Sequence, residues 1–149
     1  MTKTYEVSCE DETFALAGKI AESAKRQDVF ALIGDLGAGK TAFAKGFAKG
    51  LGVKESVVSP TFTLVQIYES GRMPLYHFDV YRIGDVSEMD ETGYEDCFYG
   101  EGVTLVEWAD LVREILPEET IYITIEPEPG KDPDHRKITI VKNDEDNSH

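Results

Sequence analysis

Gly34-Asp35-Leu36-Gly37-Ala38-Gly39-Lys40-Thr41 satisfies the pattern G-x-x-x-x-G-K-[ST] at every fixed position. That spacing suits capture of the phosphates of a nucleoside triphosphate. Glycine lets the backbone approach an anion closely, and successive N–H groups then converge on its oxygens. A helix starting at the lysine adds its unpaired N-terminal N–H groups and the positive end of its dipole. In such a loop Lys40 reaches the β- and γ-phosphates, and the Thr41 hydroxyl ligates Mg²⁺. Gly37, Ala38, Gly39, Lys40, Thr41 and Ala42 are the expected contacts.

A loop of this kind works with a carboxylate near the magnesium, usually at the end of a neighbouring apolar strand. Two acids qualify. Glu107 ends the apolar run Val103-Thr104-Leu105-Val106, and Asp79 lies within Leu75-Tyr76-His77-Phe78-Asp79-Val80-Tyr81-Arg82. Strand alternation in the second run puts His77, Asp79 and Tyr81 on one face, with Phe78 and Val80 on the other. Each acid has a plainer reading: Glu107 as an acid in the first turn of a helix, and Asp79 as a structural hydrogen-bond partner. His77 and Asp79 also read as two ligands of a zinc-type site, with no evident third.

The elements that must position these groups are legible in the pattern. Val29–Ile33 is a short apolar run that stops at glycine, which predicts a buried parallel strand. Phe43, Ala44, Phe47, Ala48 and Leu51 mark the buried face of a helix running from Lys40 to about Lys49. A first strand is expected over Thr4–Val7 and an amphipathic helix over Thr13–Lys25. Further strands are expected over Thr61–Tyr68, Leu75–Tyr81 and Val103–Val106. Ser87–Glu95 is weakly helical, and Trp108–Leu116 is helical up to Pro117. Ile121–Ile125 and Lys137–Val141 predict a closing hairpin. Alternating helices and strands with extra strand pairs predict an α/β domain with a mixed sheet.

The chain's 149 residues, 41% of them hydrophobic, suit one domain over residues 1–142, followed by a frayed acidic tail at 143–149. A net charge of −14 argues against a broad grip on nucleic-acid backbones, which needs Lys and Arg. The charge is uneven: Leu16–Lys54 holds seven basic residues against three acids. Two distant cysteines, Cys9 and Cys97, imply no disulfide framework. With no apolar leader and no run near the ~20 apolar residues of a membrane span, the expectation is a soluble, cytoplasmic protein.

Four motifs stand in order along the chain: GDLGAGKT (34–41), SPTFTLV (59–65), YHFDVYR (76–82) and LVEW (105–108). Together they resemble the TsaE family, also called YjeE or YdiB. These are small bacterial ATPases of the machinery that makes N6-threonylcarbamoyladenosine in tRNA. The resemblance runs from about Asp11 to Ile140. It implies a P-loop NTPase-like three-layer sandwich with a mixed, partly parallel central sheet. It implies ATP and Mg²⁺ as cofactors, with Thr41 and Glu107 at the metal positions. Lys40, Asp79, Glu107 and Thr61 would carry catalysis, Thr61 as a switch-like threonine responsive to the γ-phosphate. Thr13 and Arg136 match positions near the base, and Trp108 matches the tryptophan after the metal acid. The implied partners are TsaD-like and TsaB-like proteins, with tRNA engaged only through them; self-association is compatible with the sequence.

Rival readings share the loop. A small-molecule kinase needs an arginine-rich lid, but the five arginines (Arg26, Arg72, Arg82, Arg113 and Arg136) do not cluster. Asp90-Glu91-Thr92-Gly93 fits D-x-x-G, yet no N-K-x-D guanine reader follows, so a GTPase switch is the weaker reading. An ATP-gated adaptor with little turnover differs from the main reading only in rate. Arg82 is the candidate charge-stabilising arginine in cis, and the chain is expected to hydrolyse ATP slowly by itself.

Overall fold

The computed structural model describes residues 2–34, 39–58 and 64–142. Its centre is a seven-stranded sheet in the order β1-β7-β6-β2-β5-β4-β3. The strands are β1 (Thr2–Val7), β2 (Val29–Ile33), β3 (Val65–Tyr68), β4 (Leu75–Asp79), β5 (Val103–Glu107), β6 (Ile121–Pro127) and β7 (Arg136–Lys142). The inner four, β6-β2-β5-β4, are parallel. The flanks are antiparallel: β3 pairs with β4, and β7 pairs with both β6 and β1. The mixed, partly parallel sheet read from the sequence is thus present. The 121–141 hairpin forms, although it does not close the sheet, because β1 adds outside β7.

Alternation along the inner strands builds a core on each face. Phe30 and Leu32 of β2, Leu75 of β4, Val103 and Leu105 of β5 and Ile121, Ile123 and Ile125 of β6 pack with two helices. These are α1 (Glu10–Glu22), through Ala17 and Ala21, and α2 (Lys40–Leu51), through Phe43 and Phe47. Val29, Ala31, Phe78, Val80 and Val106 face the other way. They pack with Cys97 and Phe98 of the short α3 (Tyr94–Phe98) and with Ala109 and Val112. The result is three layers.

Helix α1 starts and ends earlier than its apolar spacing suggests, at Glu10 and Glu22 rather than Thr13 and Lys25. Glu10, Asp11 and Glu12 fill its first turn, where acids favour the helix dipole, and Glu12 Oε1 accepts the Ser8 N–H at 2.6 Å. Arg72 ends the helix by donating through Nη2 to the carbonyls of Ala21, Glu22 and Ala24 at 2.7, 3.2 and 2.8 Å. Residues 109–115, expected as an α-helix, form a tighter 3-10 segment broken at Val112 (φ −129°, ψ 30°). Within 87–95 the helical tendency is split between a 3-10 segment, Val86–Thr92, and α3.

Helices α1 and α2 approach so closely that two positions exclude a side chain. A Cβ on Gly46 would lie 2.2 Å from the Phe14 carbonyl oxygen, and one on Gly50 would lie 2.4 Å from that of Gly18. Both clashes are with backbone, so a whole helix must move. Gly46→Ala is expected to lower stability by about 1–3 kcal/mol through overpacking. That loss should appear even though Ala is favoured over Gly in a helix interior by ~1 kcal/mol. A urea unfolding midpoint equal to wild type would show that α1 yields without cost.

Candidate functional site

Because β2, β4 and β5 run parallel, their carboxyl ends lie along one edge of the sheet. Open α/β sheets bind ligands at that edge. Leu32 and Glu107 are register partners across β2 and β5, and Asp79 and Glu107 across β4 and β5. Asp79, His77 and Glu107 share the alternation of Leu75, Val103 and Leu105, so they face the layer that holds α2.

Helix α2 begins beside them. Gly39 precedes it with φ 102°, in the left-handed region, and its carbonyl accepts the Phe43 N–H at 3.1 Å. The first turn of α2 contains no acid, in contrast to the three in α1. Its positive end is therefore not neutralised from within the helix. Thr41 is exposed in that first turn, with half-buried Ala42 next to it. The Lys40 ammonium donates to the Gly34 carbonyl and lies 3.4 Å from the centroid of the Trp108 ring. Gly37, Ala38 and Thr61, expected at the phosphates, lie outside the described residues, as does the tail at 143–149.

Glu107 is not a helix residue: it is the last residue of β5, and 6% of its surface is exposed. Its Oε2 lies 2.6 Å from His77 Nε2, on a histidine that is 1% exposed. The zinc-type reading grouped His77 with Asp79; the structure places its Nε2 against Glu107 instead. Asp79 is buried as well, and its Oδ1 accepts the Tyr81 N–H at 3.0 Å. This side-chain turn ends β4 at Asp79. Tyr81 therefore leaves the strand, contrary to the alternation extended through it. Its ring packs on Trp108 at 4.7 Å between centroids. Trp108 adopts a left-handed backbone (φ 61°, ψ 35°), uncommon for a bulky residue and costing about 1–3 kcal/mol. Its N–H bonds the Leu32 carbonyl at 3.1 Å, so the reversal after Glu107 is tied to the strand that leads into the loop.

Thr13 and Arg136, far apart in sequence, line one cavity together with Gly39. Cys9, Glu10, Asp11 and Asp134 complete its lining, and its volume is about 450 Å³. Thr13 is buried and its hydroxyl points to the Cys9 carbonyl, while Arg136 Nη1 donates to the His135 carbonyl at 2.8 Å. The remaining arginines are dispersed. Arg26 pairs with Glu101, Arg72 ends α1, Arg113 lies over Tyr122 and Arg82 is exposed in the turn after β4.

A strand–loop–helix with a lysine at the helix start, buried acids on the adjacent strand ends and helices on both faces defines a P-loop α/β fold. Comparison with known proteins narrows this to one family. The family model for "Threonylcarbamoyl adenosine biosynthesis protein TsaE" matches residues 7–138. The Bacillus subtilis protein named tRNA threonylcarbamoyladenosine biosynthesis protein TsaE is 50% identical over 131 residues, covering 88% of this chain and 80% of that one. Its Rickettsia conorii namesake is 35% identical over 145 residues, covering 97% and 81%. The crystal structure of Bacillus YdiB superposes with a TM-score of 0.82 at 43% identity, covering 95% of this chain and 86% of that one. The chain belongs to the TsaE family of tRNA threonylcarbamoyladenosine biosynthesis. Among the described residues no helix is long and apolar enough to cross a membrane.

Proposed function

We propose that this chain binds ATP with Mg²⁺ and hydrolyses it slowly. We further propose that hydrolysis serves a TsaD-like and TsaB-like pair that forms N6-threonylcarbamoyladenosine in tRNA. The observation that carries the reading is the convergence of four groups on one sheet edge: Lys40 at the start of an acid-free helix turn, and His77, Asp79 and Glu107 on the neighbouring strand ends. The donor set suits the proposed ligand. A left-handed Gly39 and the unneutralised end of α2 favour a polyanion, with Lys40 as counter-charge. Thr41 and Glu107 would hold the magnesium, a hard cation suited to hydroxyl and carboxylate oxygens. The bound ion would supply electrostatic stabilisation of charge on the transferring phosphoryl group.

The chain's own residues would do the rest. Lys40 spreads positive charge over the β- and γ-phosphates. His77 fixes the orientation of the Glu107 carboxylate. Asp79, held by its own turn, orients the attacking water. Thr61 would respond to the γ-phosphate. Thr13 and Arg136 would wall the base side, and Gly37, Ala38, Gly39 and Ala42 would contribute loop and helix backbone. The dispersed arginines argue for slow turnover alone, because an arginine finger supplies about 10³–10⁵ in rate where present. The net charge of −14 supports contact with tRNA through partners.

The test is steady-state ATP hydrolysis with and without the TsaB–TsaD pair of the same source, with Lys40→Ala as control. Stimulation of tenfold or more that disappears in the control is expected. Turnover without stimulation, together with no binding to the pair, would leave an ATPase and remove the role in the complex. Transfer of labelled phosphate to a small acceptor would replace hydrolysis with a kinase reaction.

A further inference from the structure

Away from the sheet edge, three chain segments bring Glu6 of β1, Glu128 just after β6 and His135 just before β7 onto one point. His135 Nε2 lies 3.0 Å from Glu6 Oε1 and 2.9 Å from Glu128 Oε1, and all three atoms lie within 4.8 Å of one another. We propose that these residues form a binding site for a divalent transition-metal ion of the zinc class. The site is independent of the proposed ATPase reaction.

Hydrogen bonding accounts poorly for this arrangement. One ring nitrogen carries at most one proton, which can point well at only one acceptor. Here two carboxylate oxygens approach that nitrogen and lie within 4.8 Å of each other, where their charges repel. A cation at the common point removes both problems. Zinc–nitrogen and zinc–oxygen bonds are about 2.0–2.2 Å, so ligand atoms on one zinc ion stand about 2.9–3.5 Å apart at tetrahedral or octahedral angles. The two contacts to Nε2 match the edges of such a polyhedron. One imidazole with two carboxylates carries the charge that neutralises a divalent ion. The nitrogen donor favours zinc, cobalt or nickel over magnesium or calcium.

The backbone that carries the ring is held in place: the His135 main-chain N–H donates to the Asp132 carbonyl at 2.9 Å, the Arg136 guanidinium donates to the His135 main-chain carbonyl, and the side chain is 14% exposed. Glu6 is 55% exposed, which leaves the outer coordination positions to water. An ion here would tie the edge strand β1 to the 128–135 connection. That connection carries Asp134 into the cavity beside Gly39 and leads straight into Arg136, which lines it too.

The test uses the full chain, stripped with chelator and free of nucleotide, titrated with Zn²⁺ by calorimetry and with Co²⁺ by visible absorption. One equivalent is expected, with a Co²⁺ spectrum that excess Mg²⁺ does not abolish and a higher melting temperature with Zn²⁺. Affinity should fall at least tenfold in His135→Ala and in Glu128→Gln. Glu6→Gln keeps a hydrogen-bond acceptor for Nε2 while removing a charged ligand, so a fall there separates metal binding from a purely structural clamp. Equal zinc affinity in wild type and Glu6→Gln, or one-equivalent binding that survives His135→Ala and is lost in His77→Gln, overturns the proposal.

Discussion

Lys40→Ala is expected to lower ATP turnover by at least 10²–10³-fold, the loss found when one preorganised charge-stabilising group is removed from a transition state. The fold should survive. Lys40 is in the first turn of α2, where alanine is a good helix residue, and the helix is anchored by Phe43, Phe47 and Leu51 rather than by the lysine. The ammonium is 3.4 Å from the centroid of Trp108, the only tryptophan in the chain, so intrinsic fluorescence reports on it directly. Nucleotide that draws Lys40 to its phosphates should change wild-type emission in a saturable way. In Lys40→Ala that change should be weak or need far more nucleotide. Single-turnover hydrolysis and a fluorescence titration on the same samples separate lost binding from lost chemistry. Wild-type turnover in the variant would remove Lys40 from the reaction and the loop from its proposed role.

The parts of the molecule legible in the sequence are those with short-range causes. The run VFALI at 29–33 and the spacing of Phe43 and Phe47 each state a local structure. The parallel inner sheet follows from such strands alternating with helices. What was hidden depends on contacts between distant segments. Helix α1 ends where Arg72, some fifty residues later in the chain, meets its last carbonyls. Strand β4 stops at Asp79 because a side chain takes the Tyr81 N–H, an event that alternation alone does not register. The segment after Trp108 reads as helix by composition, but the left-handed turn at Trp108 and the break at Val112 tighten it into 3-10 geometry. Around the candidate site, Lys40 and Thr41 stood out through the spacing G-x-x-x-x-G-K-[ST], Glu107 as an acid ending an apolar run, and Asp79 through strand alternation within residues 75–82. The His77–Glu107 contact was not legible, since it requires knowing that β4 and β5 are neighbours in parallel register.

That contact sets the second large effect. Glu107→Gln should reduce turnover by about 10²–10³-fold, because the amide has no charge for a cation or a water proton and its NH₂ faces His77. His77→Ala should act through Glu107. It leaves a buried carboxylate without its 2.6 Å partner and free to turn from the position His77 fixes. Outer partners of metal-binding groups typically contribute about 10–100-fold in metal affinity or activity. The expected loss in His77→Ala is therefore smaller than in Glu107→Gln and is accompanied by a higher magnesium requirement. Stability should fall too, by about 1–3 kcal/mol, the cost of leaving a buried polar group unsatisfied. The double variant discriminates between mechanisms. If His77 works only by orienting Glu107, then His77→Ala/Glu107→Gln is no slower than Glu107→Gln alone, and adding magnesium restores neither. If the two losses multiply instead, His77 has a separate part in the reaction, and the carboxylate it touches is not its route to the phosphates.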